Sequence, residues 1–431
     1  MTLRRLTGVA AVALLTLPAV AHAAAFDVET ATRAYLDTLQ GAARAKSDAY
    51  FEGGYWLILW GALVSVLVDG LLLGFRIAAK FRDIAERRFK RPFGATWLTA
   101  LLYSLVGWVI TLPWSIYTGF LREKQYGLMN QTFADWSIDA LKGLGIDLAI
   151  APLVIAVLYA VIRRFPRNWW LLGTGVFGAF MMFGMMIAPV YIMPLFNTYT
   201  ELQQGPVRDR IVALAQANHI PAEHIYVSDA SRQSKRISAN VSGLGPTIRI
   251  TLNDNLLHRT SLPETAAVMG HEMGHYVLGH GPRNVALLTL MFAVLFFAAS
   301  RIVPMLIARH GERWQVRDVG DPASMPVFSI VLALIGLITT PVQNTIIRTA
   351  ESDADAFGLN SAREPDGFAL TAMKLSEYRK IEPGKIEEML FYDHPSGATR
   401  VRMSMQWKKD HVPNAQMVTP PPLPQDPPEP K

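Results

Sequence analysis

The stretch His271-Glu272-Met273-Gly274-His275 decides how the rest of this chain is read. It has the form H-E-x-x-H, in which histidines at i and i+4 lie on one face of a helix and converge on one metal ion. The glutamate beside the first histidine sits slightly off that axis, where it can take a proton from a water without being a ligand. The flanks favour a helix. Ser261-Leu262-Pro263-Glu264 reads as a capping box with proline in the first turn. Residues 265–278 hold no breaker except Gly274, and Gly279 is a natural stop.

The whole chain reads as a membrane protein. Of its 431 residues, 51% are hydrophobic and 18% are charged, less charge than soluble domains carry. The net charge of +6 is concentrated in short loops beside apolar segments, so it reports topology and not nucleic-acid binding. There are no cysteines, so a zinc ion would have to be held by histidine and carboxylate.

Residues 1–23 read as an export signal, with Arg4 and Arg5 before an apolar stretch and Ala21-His22-Ala23 as the cleavage site. An uncleaved first spanning helix is the alternative. Six further spans are expected at 55–75, 97–121, 144–162, 169–196, 285–308 and 325–347. Asp69 and Arg301 fall inside two of them, either lining a polar chamber or serving as structural or interfacial groups.

Basic residues crowd three loops: Lys80 to Arg91, Arg163 to Arg167, and Arg309 to Arg317. With six spans these loops share one side, the cytoplasm by the positive-inside rule. Residues 200–281 then lie outside, in the periplasm of a bacterial inner membrane.

The expected organisation is a membrane domain with four spans (24–199), a peptidase domain with two more (200–411) and a proline-rich disordered tail (412–431). Within the second domain, 207–217 reads as a helix, 224–227 as a strand, and 236–242 with 247–252 as a hairpin. A helix is expected over 366–378 and another after Pro395.

A catalytic zinc has three protein ligands and one open position. His280 is close to the motif, but on a continuing helix it points away, and it reads as a surface histidine at a helix end. Glu351-Ser352-Asp353-Ala354-Asp355 is the better source. Glu351 and Asp355 share one helix face, where the first can ligate and the second can accept the free N–H of a ligating histidine. Asp353 lies elsewhere and reads as solvated.

These elements together resemble the CAAX prenyl protease family of integral-membrane zinc metallopeptidases, the a-factor-converting type. The resemblance spans most of the chain. It implies a mainly α, multi-span helical bundle with a gluzincin-type peptidase domain carrying a small β-sheet. The family has seven spanning helices around a chamber, one more than the six counted here. It implies one Zn²⁺ on His271, His275 and Glu351, with Asp355 behind them and Glu272 as general base. The late stretch His394-Pro395-Ser396-Gly397-Ala398-Thr399-Arg400 matches the family's H-P-x-x-x-x-R, so His394 and Arg400 would stabilise the substrate carbonyl. Ser238-Ala239-Asn240 resembles its substrate-binding strand, which gives Asn240 a contact with the peptide backbone.

The expected partners are a peptide or protein substrate and the lipid bilayer, with no nucleic acid. The substrate is expected to be a membrane-associated or misfolded protein, with prenylated C-termini as the alternative. Eukaryotic family members place the site on the cytosolic side, opposite to the charge count. A transporter or scaffold with structural zinc is the reading from a different class, and it would need four protein ligands.

Overall fold

The computed structural model describes residues 26–243 and 248–423. The expected signal segment lies outside these residues, as does the turn between the two expected hairpin strands. Six helices are long and apolar enough to cross a bilayer: Gly41–Gly74, Pro92–Gln125, Phe133–Arg164, Trp169–Leu195, His280–Trp314 and Pro322–Ala362. Each matches one expected span to within a residue at its shorter end, and most run well beyond it. The first helix begins at Gly41, before its apolar stretch, because its charged N-terminal turns meet the catalytic half. Arg44 pairs with Glu382 at 2.8 Å and Lys380 with Glu52 at 2.7 Å.

The basic loops gather at one end of the bundle. The first contains the helix Ile77–Arg88, whose Arg82 bonds Asp321 at 2.7 Å. Arg163 donates to the Gly320 carbonyl at 3.1 Å, and Arg317 also binds Glu86. These three loops therefore share one side of the membrane, as the charge pattern requires.

Asp69 is buried and accepts a 2.7 Å hydrogen bond from the Tyr103 hydroxyl. Arg301 lies over the Phe297 ring at 5.1 Å. Asp69 thus finds its partner on the neighbouring span and Arg301 on its own, and the two do not pair with each other.

At the opposite end sits a four-stranded sheet of β1 (Tyr199–Glu201), β2 (Ile225–Ser228), β3 (Ala239–Ser242) and β4 (Arg249–Asn253), in the order β1-β2-β4-β3. The β3–β4 pair is antiparallel, with Asn240 opposite Thr251, as the hairpin reading expects. β2 and β4 run parallel, and β3 is left as an edge. One face of the sheet packs its apolar residues, among them Ile225, Ile250 and Leu252, against Met269 and Met273 of the helix Leu262–Val277 and against the helix Pro206–Ala217.

The expected late helices are present as Pro365–Leu375 and Gly397–His411. They pack around Val28–Leu36, with Tyr35 bonded to Asp366 at 2.7 Å. Residues 28–36 thus belong in space to the catalytic half. Residues 415–423 form no helix or strand, and Leu423 rests against this cluster.

Candidate metal and catalytic site

The H-E-x-x-H stretch lies in the helix Leu262–Val277. Its N-terminus is fixed by Glu264, whose carboxylate accepts from the Ser261 amide at 2.8 Å. Glu351 and Asp355 lie on the last spanning helix, Met325–Ala362. At about 1.5 Å of rise per residue, Glu351 stands roughly 39 Å along that helix from Met325. That exceeds the ~30 Å hydrocarbon core and lifts Glu351 to the end opposite the basic loops.

Glycines bring the two helices together. A Cβ on Gly358 would lie 2.8 Å from the His271 amide nitrogen, and one on Gly274 would lie 3.1 Å from the Phe357 Cβ. Backbone therefore approaches backbone across this pair, which lets short acidic side chains reach the histidines.

Three side chains converge there, Glu351 through both of its carboxylate oxygens. His271 Nε2 is 3.1 Å from His275 Nε2 and 3.3 Å from a Glu351 carboxylate oxygen, and His275 Nε2 is 3.4 Å from the other. Ligands about 2.0–2.1 Å from a tetrahedral centre are spaced roughly 3.3 Å apart, so these separations have the size a zinc ion would demand. The electrostatics agree. Glu272, Glu351 and Asp355 line the site, with the Arg400 and Arg379 guanidiniums set against them. Burial works against a charged His271, yet its contacts with Asp355 and Glu351 raise its pKa to about 10. The pocket favours a cation.

The surrounding groups fix the orientation of the three. His271 Nδ1 lies 2.8 Å from Asp355, whose side chain is fully buried. Arg400 donates through Nε to Asp355 at 2.8 Å and through Nη2 to Glu351 at 3.3 Å. Its guanidinium is thus directed at the carboxylates that hold the site. His394 turns Nε2 to within 3.3 Å of Glu351, while Nδ1 contacts Asp393 at 2.8 Å. Burial holds the His394 pKa below its ordinary value despite Asp393. Burial likewise raises the Glu272 carboxyl, offset only in part by the two histidines.

Two expectations need correction. His280 is not at the surface: it is 1% exposed, and its Nδ1 meets His275 Nδ1 at 2.9 Å. The helix does not continue through it. Gly279 adopts φ +64°, and His280 opens a new helix that turns its ring back toward the site. The stop at Gly279 was the available signal. Asp353 is only half exposed and pairs with Arg283 at 3.0 Å, so it is engaged and not merely solvated.

The site lines a cavity of about 210 Å³ with His271, Glu272, Glu351, His394 and Arg400 on its walls. Ile237, Ser238 and Ala239 line it too. Asn240 is the next residue along the edge strand and does not itself line the cavity.

The comparisons with known proteins agree with this geometry. The CAAX prenyl protease N-terminal model, five membrane helices, matches residues 29–198, and the Peptidase family M48 model matches residues 201–408. The chain belongs to peptidase family M48. It is similar to an uncharacterized metalloprotease of Bacillus subtilis, YhfN, at 26% identity over 84% of this chain and 82% of that protein. It is 27% identical to CAAX prenyl protease 1 of Saccharomyces cerevisiae over 70% of each chain. The crystal structure of S. mikatae Ste24p shares the fold, with a TM-score of 0.69, 20% identity, and coverage of 88% of this chain and 96% of that one. This M48 protein is an integral-membrane metalloprotease, and the scaffold reading falls with that assignment. A possible metal site among its described residues is His271, His275 and Glu351.

Proposed function

We propose that this M48 protein is a zinc endopeptidase acting on membrane-associated or misfolded proteins. The observation that carries the reading is the convergence of His271, His275 and Glu351 beside Glu272, in a cavity bordered by a free sheet edge. Held by those three residues, zinc would polarise the scissile carbonyl and acidify a water.

Glu272 then takes the proton as the water's oxygen bonds to the carbonyl carbon. It returns that proton to the leaving amine as the C–N bond breaks. His394 stabilises the oxygen that gains negative charge. That charge and Asp393 together favour the protonated ring, which donates through Nε2. Arg400 acts by holding Asp355 and Glu351 in place, and Asp355 keeps the His271 proton on Nδ1 so that Nε2 faces the metal. His280 gives His275 the same service: Nδ1 of His275 donates to it, freeing Nε2. β3 presents its open edge to an extended peptide, with Asn240 contacting the peptide backbone.

A second reading, trimming of prenylated C-termini, is favoured by the relatives named CAAX prenyl protease 1. Purified protein incubated with an unfolded membrane protein and with a prenylated peptide separates the two. Cleavage of the peptide alone would overturn the quality-control role. Glu272→Gln run beside it identifies which cleavage belongs to this site.

The basic loops and the site lie at opposite ends of the bundle, so the site faces away from the cytoplasm under the positive-inside rule. The chain has no cysteine, which makes single-cysteine labelling clean. Gln406 is exposed near the site and Arg88 is exposed at the basic end. An impermeant thiol reagent added outside intact cells should label Gln406→Cys and spare Arg88→Cys. The reverse pattern places the site in the cytoplasm.

A further inference from the structure

Arg379 stands where two cavities meet. It lines the catalytic cavity together with Tyr378. A second cavity of about 560 Å³ shares Ile237, Ser238, Tyr378 and Arg379 with the first and adds an aromatic wall of Tyr50, Phe51, Tyr55 and Phe391. A peptide laid along the segment leading into the β3 edge would pass Ser238 and run from one cavity into the other.

Three arginines line the second cavity, and two of them are engaged. Arg236 pairs with Glu123 at 2.8 Å and donates to the Tyr50 hydroxyl at 2.6 Å. Arg122 lies over the Tyr50 ring at 4.1 Å and bonds the Tyr50 carbonyl. The Arg379 side chain makes no ion pair and no hydrogen bond among the described residues. Asp393 lines the same cavity, but its carboxylate is taken by His394 at 2.8 Å. Burial and the nearby Arg400 work against the Arg379 charge, and Asp393 and Glu351 offset them only in part, without a direct contact. An unpaired guanidinium in such a place is unfavourable by itself, and it gains most from an anion that brings two oxygens to its fork of donors.

We propose that Arg379 is the anion-binding determinant of the substrate site. It takes a carboxylate of the peptide, a few residues from the cleaved bond, and the aromatic cavity receives an apolar side chain beside it. The carboxylate is either the peptide's C-terminus or an acidic side chain, which are one chemistry from two sources. The inference rests on the peptidase reading above.

The test uses four peptides with the same cleaved region: a free C-terminus, a C-terminal amide, the amide with one acidic side chain near the end, and the amide with its neutral amide counterpart. The ratio of kcat/KM between carboxylate-bearing and neutral peptides is measured for the wild type, Arg379→Gln and Arg379→Lys, with metal content as the check on folding. The wild type should prefer a carboxylate by about ten- to a hundredfold. In Arg379→Gln that ratio should collapse toward one, and in Arg379→Lys it should be partly kept. The first two peptides report the terminal carboxylate and the last two the side chain. Equal turnover of charged and neutral peptides by the wild type, or a preference that survives Arg379→Gln, overturns the proposal.

Binding of the same peptides to Glu272→Gln, with and without the Arg379→Gln change, reads the charge preference without turnover. Failure of the peptidase reading, seen as no cleavage by the wild type, is thereby kept apart from failure of this one.

Discussion

Glycines in two places of this molecule do opposite things. On the helix pair that carries the site, Gly270, Gly274 and Gly358 are crowded: a Cβ on any of them would come within 3.1 Å of the other helix. On the span Trp169–Leu195, Gly175 and Gly184 have nothing within 4 Å, and only 6% of that helix's most apolar window is buried. The first set lets two backbones close together so that Glu351 and Asp355 reach His271. The second set faces open space. Close backbone approach at the site serves ligand geometry that has to hold to fractions of an ångström, whereas the span is packed on one face only, where a Cβ on Gly178 would lie 2.8 Å from Thr289.

The largest effects should come from the residues that the crowded pair positions. Glu351→Ala removes one of the three converging side chains, so metal content and proteolysis should both be lost, as they should on chelation. Zinc should restore the chelated protein and not the variant. Glu272→Gln should keep the metal and lose about 10²–10⁴-fold in rate. Wild-type turnover in that variant would remove Glu272 from the chemistry.

Gly358→Ala comes next, and it tests the packing argument directly. Its Cβ would press within 3.0 Å of the His271 backbone, so the helices must separate. A ligand shift of about 1 Å can cost on the order of a hundredfold in rate, and overpacking about 1–3 kcal/mol in stability. Activity near wild type would show that the pair tolerates separation. His280→Ala should follow, weakening metal binding by about 10–100-fold through a freed His275 ring. An unchanged affinity in a metal-competition titration would reduce His280 to a packing residue.

How much of this was readable in the sequence follows from which physics wrote each part. The spans were readable because lipid selects uninterrupted apolar runs. The pairing of His271 with His275 was readable because i, i+4 spacing on a helix is local. The true length of the first helix was hidden: Arg44 and Glu52 look like loop residues until Glu382 and Lys380 meet them from more than 300 positions away. The place of His280 was hidden by one left-handed residue, Gly279, which breaks the phase that a continuous helix would keep. Arg379 could not be found at all from spacing, since the cavities that it joins are built by segments far apart in the chain.

The smallest effect should be the most telling about the comparison. Gly184→Ala places the same methyl group on a helix as Gly358→Ala does, but at a position with nothing near it. Alanine restricts the unfolded backbone more than glycine and suits a helix better by about 1 kcal/mol. The expected result is therefore unchanged proteolysis and metal content, with thermal stability equal or slightly higher. A loss of activity approaching that of Gly358→Ala would mean that this span is packed against something in the membrane. The contrast between a close-packed catalytic pair and a lipid-facing span would then fail at its weaker end.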